Sequence, residues 1–434
     1  MKSEWQVLNL EDCLEALIDY RGKTPKKNTS GIPLVTAKVI KGGRIEAPSE
    51  YIAAEDYDTW MRRGIPKTGD VVMTTEAPLG EVAQLGKEKI ALAQRVITLR
   101  GKSDLLDSTY LLYLLQTEEM QEKIKARASG TTVLGIKQSE LRKIPISVPP
   151  LYLQQNVTSV LSALDLRITL LRETNSTLEA IARALFKSWF VDFDPVRAKM
   201  EDRALEGIDA ETAMLFPDSL EESDLGLIPK GWSTTAVYDL AEYINGAAYR
   251  AFEPNEEKKG LPIIKIAELK SGVTPQTRYS TVNMPEKYRI NLGDILFSWS
   301  GNPDTSIDTF VWPYSSAWLN QHIFRVVPRV EQDRSFVLMT LKCLKPVFAE
   351  IARNKQTTGL GHVTVADLKR LKLVCPSKPI LDRWSEIATP LLEQAFTIEC
   401  KIRALAALRD TLLPRLISGQ LQMSKDTVTT ELVK

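Results

Sequence analysis

The stretch VTSVLSALDLRITLLRETNSTLEAIARALFKSW (157–189) and its counterpart WSEIATPLLEQAFTIECKIRALAALRDTLLPRL (384–416) decide the architecture of this 434-residue chain. In the first, Val157, Leu161, Leu164, Ile168, Leu171, Asn175, Leu178, Ala182, Leu185 and Trp189 recur at alternating steps of four and three. In the second, Trp384, Ala388, Leu391, Ala395, Ile398, Ile402, Leu405, Arg409, Leu412 and Leu416 repeat the same steps, each 227 residues further on. A 3.5-residue period gathers such side chains into one seam of a coiled coil. Each predicted helix runs for about 36 residues, or roughly 50 Å. Two seams of equal length are what an antiparallel intramolecular pair needs; the alternative is that each seam packs on its own globular half. Asn175 and Arg409 are polar seam members of the kind that fix register at some cost in stability. Pro195 and Pro414 are expected to stop or distort the helices, and Pro390 to mark a kink or a later start.

The repeat extends outward from the helices. Trp5 and Trp232, Leu10 and Val237, and Asp12 and Asp239 share the 227-residue offset. GIPLVTAKVIKGG (31–43) resembles GLPIIKIAELKSG (260–272), GDVVMTT (69–75) answers GDILFSW (293–299), and SELRKIPISVP (139–149) answers ADLKRLKLVCP (366–376). VVMTTEAPLGEVAQL, IALAQRVITLR, DILFSWS and HIFRVVPR read as strands of a curved, mostly β sheet. A helical piece, a glycine-bearing turn and a last strand follow in each half. The expected organisation is α+β with a pseudo-two-fold internal repeat. It comprises a first mostly β domain (1–150), a long helix (151–195), an acidic linker (196–225), a second mostly β domain (226–380), a second long helix (381–421) and a tail (422–434).

Composition narrows the function classes. No run of 18 apolar residues exists, so no membrane span is expected, and MKSEWQVLNLEDC carries acids where a signal peptide needs an apolar run. Cys13, Cys343, Cys375 and Cys400 are scattered and only two histidines are present, against a disulfide framework or a structural zinc site. A reduced, cytoplasmic protein is expected. The net charge of +1 conceals a division: residues 201–224 hold one basic and nine acidic side chains, a balance of −8, so the remainder carries +9. That remainder permits nucleic-acid binding.

Catalytic signatures are missing. The nearest approach to a phosphate-binding loop, GEVAQLGKE (80–88), is one residue too long and places Glu88 where a metal-binding hydroxyl belongs. Val148-Pro149-Pro150-Leu151 has the prolines of an adenine-methylating loop without its polar and aromatic members. No glycine-rich nucleotide turn follows a clear strand, and no G-x-S-x-G elbow accompanies the two histidines. No catalytic residue and no metal site are assigned.

SVLSALDLRITLLRETNSTLEAIARALFKSWFVDFDPVRAKM (159–200) resembles the central region of type I restriction enzyme specificity subunits, and ALRDTLLPRLISGQL (407–421) resembles their distal region. SGTTVLGIKQSELRKIPI (129–146) and GLIPKGW (226–232) are similar to phrases of that family, so the resemblance spans essentially the whole chain. It implies two target recognition domains held apart by two helices paired as an antiparallel coiled coil. Each domain then reads one half of an asymmetric, bipartite double-stranded DNA site. It also implies docking of two modification subunits that methylate adenine with S-adenosylmethionine, and of restriction subunits that use ATP and Mg²⁺. This chain itself needs no cofactor on that reading.

Base readout requires Arg, Lys, Asn, Gln, Ser or Thr at groove edges. In the first domain the candidates are Arg21, Lys23, Lys26, Lys27, Thr36, Lys38, Lys41, Arg44, Thr74, Thr75, Gln94, Arg95 and Lys137. In the second they are Lys265, Lys270, Arg278, Ser298, Ser300, Asn320, Gln321 and His322; Trp299 reads as core rather than as a stacking platform. Other readings stand beside this one. A single-chain restriction–methyltransferase would need a catalytic part for which the 13 residues after Leu421 leave no room. A coiled-coil scaffold would show no salt-dependent DNA affinity. An orphan or decoy specificity subunit would differ only in its partners.

Overall fold

Both long helices form. In the computed structural model, which describes residues 5–20, 22, 24–204, 207–356 and 359–421, α1 (Leu151–Phe190) and α2 (Lys378–Ile417) each contain 40 residues, roughly 60 Å of helix. The chain divides into two compact units, Met1–Ile168 with Ala404–Lys434 and Thr169–Arg403, so each helix contributes to both.

None of the twenty seam residues is exposed. Val157, Leu161, Leu164, Ile168, Ala182, Trp189, Trp384, Ala388, Ala395, Ile398, Ile402 and Leu416 are buried; Leu171, Asn175, Leu178, Leu185, Leu391, Leu405, Arg409 and Leu412 are half-buried. In the first unit Val157 and Leu161 share a core with Leu413, Leu416 and Ile417, and Arg409 Nη1 donates to Asp165 Oδ1 at 2.7 Å. In the second unit Phe186, Trp189 and Phe190 pack edge-on against Trp384, with ring centroids 5.2–5.9 Å apart. In each unit, rising numbers on α1 meet falling numbers on α2, so the segments run antiparallel. Burial alone would lower the Arg409 guanidinium, but Asp165 and Asp410 hold it above its ordinary value.

Three expectations about the helices and the linker are corrected. α2 continues through both Pro390 and Pro414, so Pro414 does not stop it and Pro390 is not a later start. Proline in a helix interior costs about 3 kcal/mol, which the buried seam on either side outweighs. α1 ends at Phe190, before Pro195, which lies buried in the first turn of a separate short helix, Asp194–Met200. The acidic stretch 196–225 is folded rather than a bare linker. Val196, Ala198 and Phe216 are buried, a helix covers Ala210–Leu215, and Leu220–Ser223 pairs with Gly226–Pro229. Its anchor is Asp209, which accepts from Thr212 N and Oγ1 at 2.8 Å each and from Arg383 of α2 at 3.1 Å. The expected tail, 422–434, lies outside the described residues.

Each unit carries the same four-stranded antiparallel sheet. In the first, β1 (Leu14–Asp19), β2 (Val71–Thr75), β3 (Leu79–Gln84) and β4 (Val96–Gly101) lie in the order β1-β4-β2-β3. In the second, β5 (Ala241–Asn245), β6 (Ile295–Ser298), β7 (Asp308–Val311) and β8 (Ile323–Pro328) lie in the order β5-β8-β6-β7. The central strands are covered on both faces: Val71 and Met73 enter one core and Val72 another, as do Ile295 and Phe297 against Leu296. The expected single helical piece of each half is two helices, broken at equivalent places. Thr117 ends Ser108–Gln116 and caps Glu118–Ala126, while Leu344 separates Arg334–Cys343 from Lys345–Asn354. The halves diverge after their first long loops. Ile40–Lys41 and Arg44–Ile45 form a hairpin around Gly42 and Gly43, whereas Ile266–Ser271 forms a helix at whose start Lys265 N donates to Glu268 Oε2 at 3.1 Å.

Two outcomes test this packing. Leu161→Ala, at a fully buried seam position, should cost about 2–5 kcal/mol, read as a lowered melting midpoint; an unchanged midpoint would refute its core role. The hydrogen bonds from Thr212, then the Arg383 guanidinium, hold the Asp209 carboxyl down at about 2. Its contribution is therefore complete above the ordinary carboxylate range and is lost as pH falls toward 2. An NMR titration of Asp209 should find that depressed value, and Arg383→Ala should raise it.

Candidate nucleic-acid interface

The register of each sheet gathers particular loops at one edge. In the first unit Asp19 pairs with Ile97 and Thr74 with Val96, so the loops after β1 and β2 and the loop before β4 emerge together. Thr24 Oγ1 donates to Gln94 Oε1 at 3.3 Å, Arg95 Nε pairs with Glu76 Oε1 at 2.7 Å, and Glu76 bridges to Gly135, two residues before Lys137. In the second unit Asn245 pairs with Phe324 and Ser298 with Ile323. Tyr249 N donates to Gln321 Oε1 at 3.0 Å, and Ser300 pairs with His362. Trp299 lies among His322, Phe324 and His362 at centroid distances of 5.6–5.8 Å, with its indole N–H donating to Asn245 Oδ1.

The candidate readers fall into three groups. Lys26, Lys27, Lys38, Lys41, Arg44, Arg95, Lys137 and Lys270 are exposed. Lys27 and Lys41 pair with Glu50 and Glu46 at 2.9 and 3.0 Å. Thr36, Gln94, Lys265, Arg278, Gln321 and His322 are half-buried. Lys265 lies over the Tyr249 ring and Arg278 pairs with Glu256. Thr74, Thr75, Ser298, Ser300 and Asn320 are buried, which corrects their reading as groove-edge contacts. They belong to strands covered on both faces or to the turns beneath the edge, so their side chains do not reach solvent; Thr74 Oγ1 instead accepts from Glu81 N at 2.9 Å. Arg21 and Lys23 lie outside the described residues.

The edge brings together Lys26, Gln94 and Arg95 in one unit, and Lys265, Gln321 and His322 in the other. Lys41 and Arg44 sit on the hairpin whose Gly42 N donates to Glu81 Oε2, and Lys38 precedes it. Sequence reasoning missed Glu76, Asn245 and His362; Trp299, read as core, is half-buried and packs against the core of its unit. Also missed were Arg62 and Arg63, which with Tyr20, Lys26 and Trp60 line a cleft of about 410 Å³. One signal was available: both histidines of the chain stand at repeat positions of edge residues, His322 opposite Arg95 and His362 opposite Gly135.

Among the described residues no helix is long and apolar enough to cross a membrane, and no cluster of three metal-ligating side chains occurs. Burial, and then neighbouring His362, push the His322 imidazole below the ordinary histidine value. With only two histidines in the chain, NMR titration resolves both; His322 should titrate below 6.5, and a value at or above it would contradict this environment.

A family model described as the type I restriction modification DNA specificity domain matches residues 2–180 and 229–404. The type I restriction enzyme MjaIX specificity subunit of Methanocaldococcus jannaschii is 26% identical over 431 residues, covering 97% of this chain and 94% of that protein. The HindI specificity subunit of Haemophilus influenzae is 25% identical over 383 residues, covering 77% and 82%. Among solved structures, the type I restriction-modification system S subunit of M. genitalium matches with a TM-score of 0.56 at 15% identity, covering 97% of each chain, a likeness of fold.

Proposed function

The chain belongs to the family of type I restriction modification DNA specificity domains, and on that premise we infer that it is the DNA-recognition subunit of a type I restriction–modification complex. The observation that carries this reading is the doubled match, one domain on each repeat of a single chain. Each repeat presents a loop edge of basic and amide side chains, exposed or half-buried, at the end of the same kind of sheet. Two non-identical readers in one chain suit an asymmetric, bipartite target, which a symmetric homodimer does not. On this reading the two long helices set the length of the unspecified gap in the target.

On this reading the chain does no chemistry itself. Two modification subunits, with S-adenosylmethionine, methylate adenine, and restriction subunits use ATP and Mg²⁺. The complex works in the cytoplasm, where the DNA is. The alternatives of an orphan or decoy subunit and of a scaffold without DNA binding make different predictions for one experiment. The chain is co-expressed with a modification subunit in a methylation-free host and N6-methyladenine is mapped by long-read sequencing. One new motif with two short halves and a fixed gap is expected. An assembled complex that binds S-adenosylmethionine yet adds no methylation would overturn the reading.

A further inference from the structure

Gln94 and Gln321 stand one repeat length apart, and the protein holds them alike. Each side-chain oxygen accepts a hydrogen bond from the segment that follows the first strand of its sheet, from Thr24 Oγ1 in one unit and Tyr249 N in the other. The residue that follows the glutamine differs. It is Arg95, paired with Glu76, in the first unit, and His322, packed on Trp299, in the second. The same framework therefore presents two unlike groups at one place on the recognition edge.

We propose that Arg95 is a specificity-determining residue that reads a G·C base pair in the first half-site, with Gln94 positioning it. This rests on the DNA-recognition function proposed above. Arg95 is half exposed, and so is its partner, at 50% and 41% of their side-chain surfaces. An ion pair so open to water is weakly held, so it orients the guanidinium in the free protein without locking it there. The pairing runs through Nε, leaving the Nη groups to take part in the two-pronged contact with guanine O6 and N7 that arginine makes in the major groove. Glu76 argues for a base rather than the backbone as the target. A carboxylate 2.7 Å from the guanidinium is repelled by phosphate, yet it can accept from the exocyclic amine of a cytosine. The pair thus matches the two edges of one G·C pair, or of neighbouring ones.

The second unit lacks that pair at the equivalent place. His322 Nδ1 is buried with no partner among the described residues, so the ring cannot supply arginine's fork. The two domains consequently read different bases through the same corner of the fold.

The test extends the methylation map to Arg95→Ala, Arg95→Lys and Gln94→Ala in the assembled complex. Arg95→Ala should make one G·C position of one half-motif degenerate, with discrimination falling roughly ten- to a hundredfold there. The other half and the gap should stay as they are. Arg95→Lys keeps the charge without the fork and should relax the same position, and Gln94→Ala should relax it less. An unchanged motif in Arg95→Ala, or a uniform loss of methylation at all sites with the motif intact, overturns the assignment while leaving the recognition function in place. A wild-type complex that writes no bipartite motif overturns the function itself.

Discussion

Forty residues of amphipathic helix cannot keep an apolar stripe in water, and the covering of two such stripes governs the rest of this structure. Burying a single leucine or isoleucine side chain contributes about 1.5–3 kcal/mol. The buried seam residues of α2 therefore outweigh the roughly 3 kcal/mol that each of Pro390 and Pro414 costs, and the helix runs on through both. At Arg409 the polar seam is answered within its own unit, whereas Asn175 Oδ1 is buried with no hydrogen-bond partner among the described residues. Arg409 meets Asp165, and Asp165 also accepts from Tyr113 Oη at 2.7 Å. Leaving either charge half-buried and unpaired would cost several kcal/mol, which ties the register of the helices to the first domain. In the second unit the same task falls to aromatic packing, with Phe186, Trp189, Phe190 and Trp384 meeting edge to face.

The two sheets show how one scaffold serves two readers. Their strand orders are identical, and every side chain of β2 and β6 is buried, so those two strands offer a partner nothing. The loops at one edge differ between the units, and there exchange of an exposed side chain leaves the cores undisturbed. Gln94 and Gln321 retain their roles there while their neighbours differ, and the loop segments that follow, a hairpin in one unit and a helix in the other, differ more.

The seam and the duplication were legible in the linear chain because they are periodic: spacings of four and three, and an offset of 227, survive without knowledge of the fold. The family resemblance followed from the same stretches. What the linear chain could not convey was depth. Thr74 and Ser298 look like groove-edge residues because alternation along a strand normally leaves one face wet. Here both faces are covered, and only the assembled layers reveal it. The acidic run 201–224 looks like a linker because its charge is dense. Asp209 nonetheless binds Thr212 and Arg383, and Arg383 lies 174 residues away.

By itself the sequence determined that there are two similar mostly β domains, two long helices with matching seams, and no recognisable catalytic motif, since each of these is a statement about local spacing and residue type. Only the tertiary structure decided which polar side chains reach the surface and which stand together. Arg95 meets Glu76, and His322 and His362 meet at Trp299, because strand register carries distant loops to one edge, and register is set by packing across the sheet rather than by the order of residues along the chain.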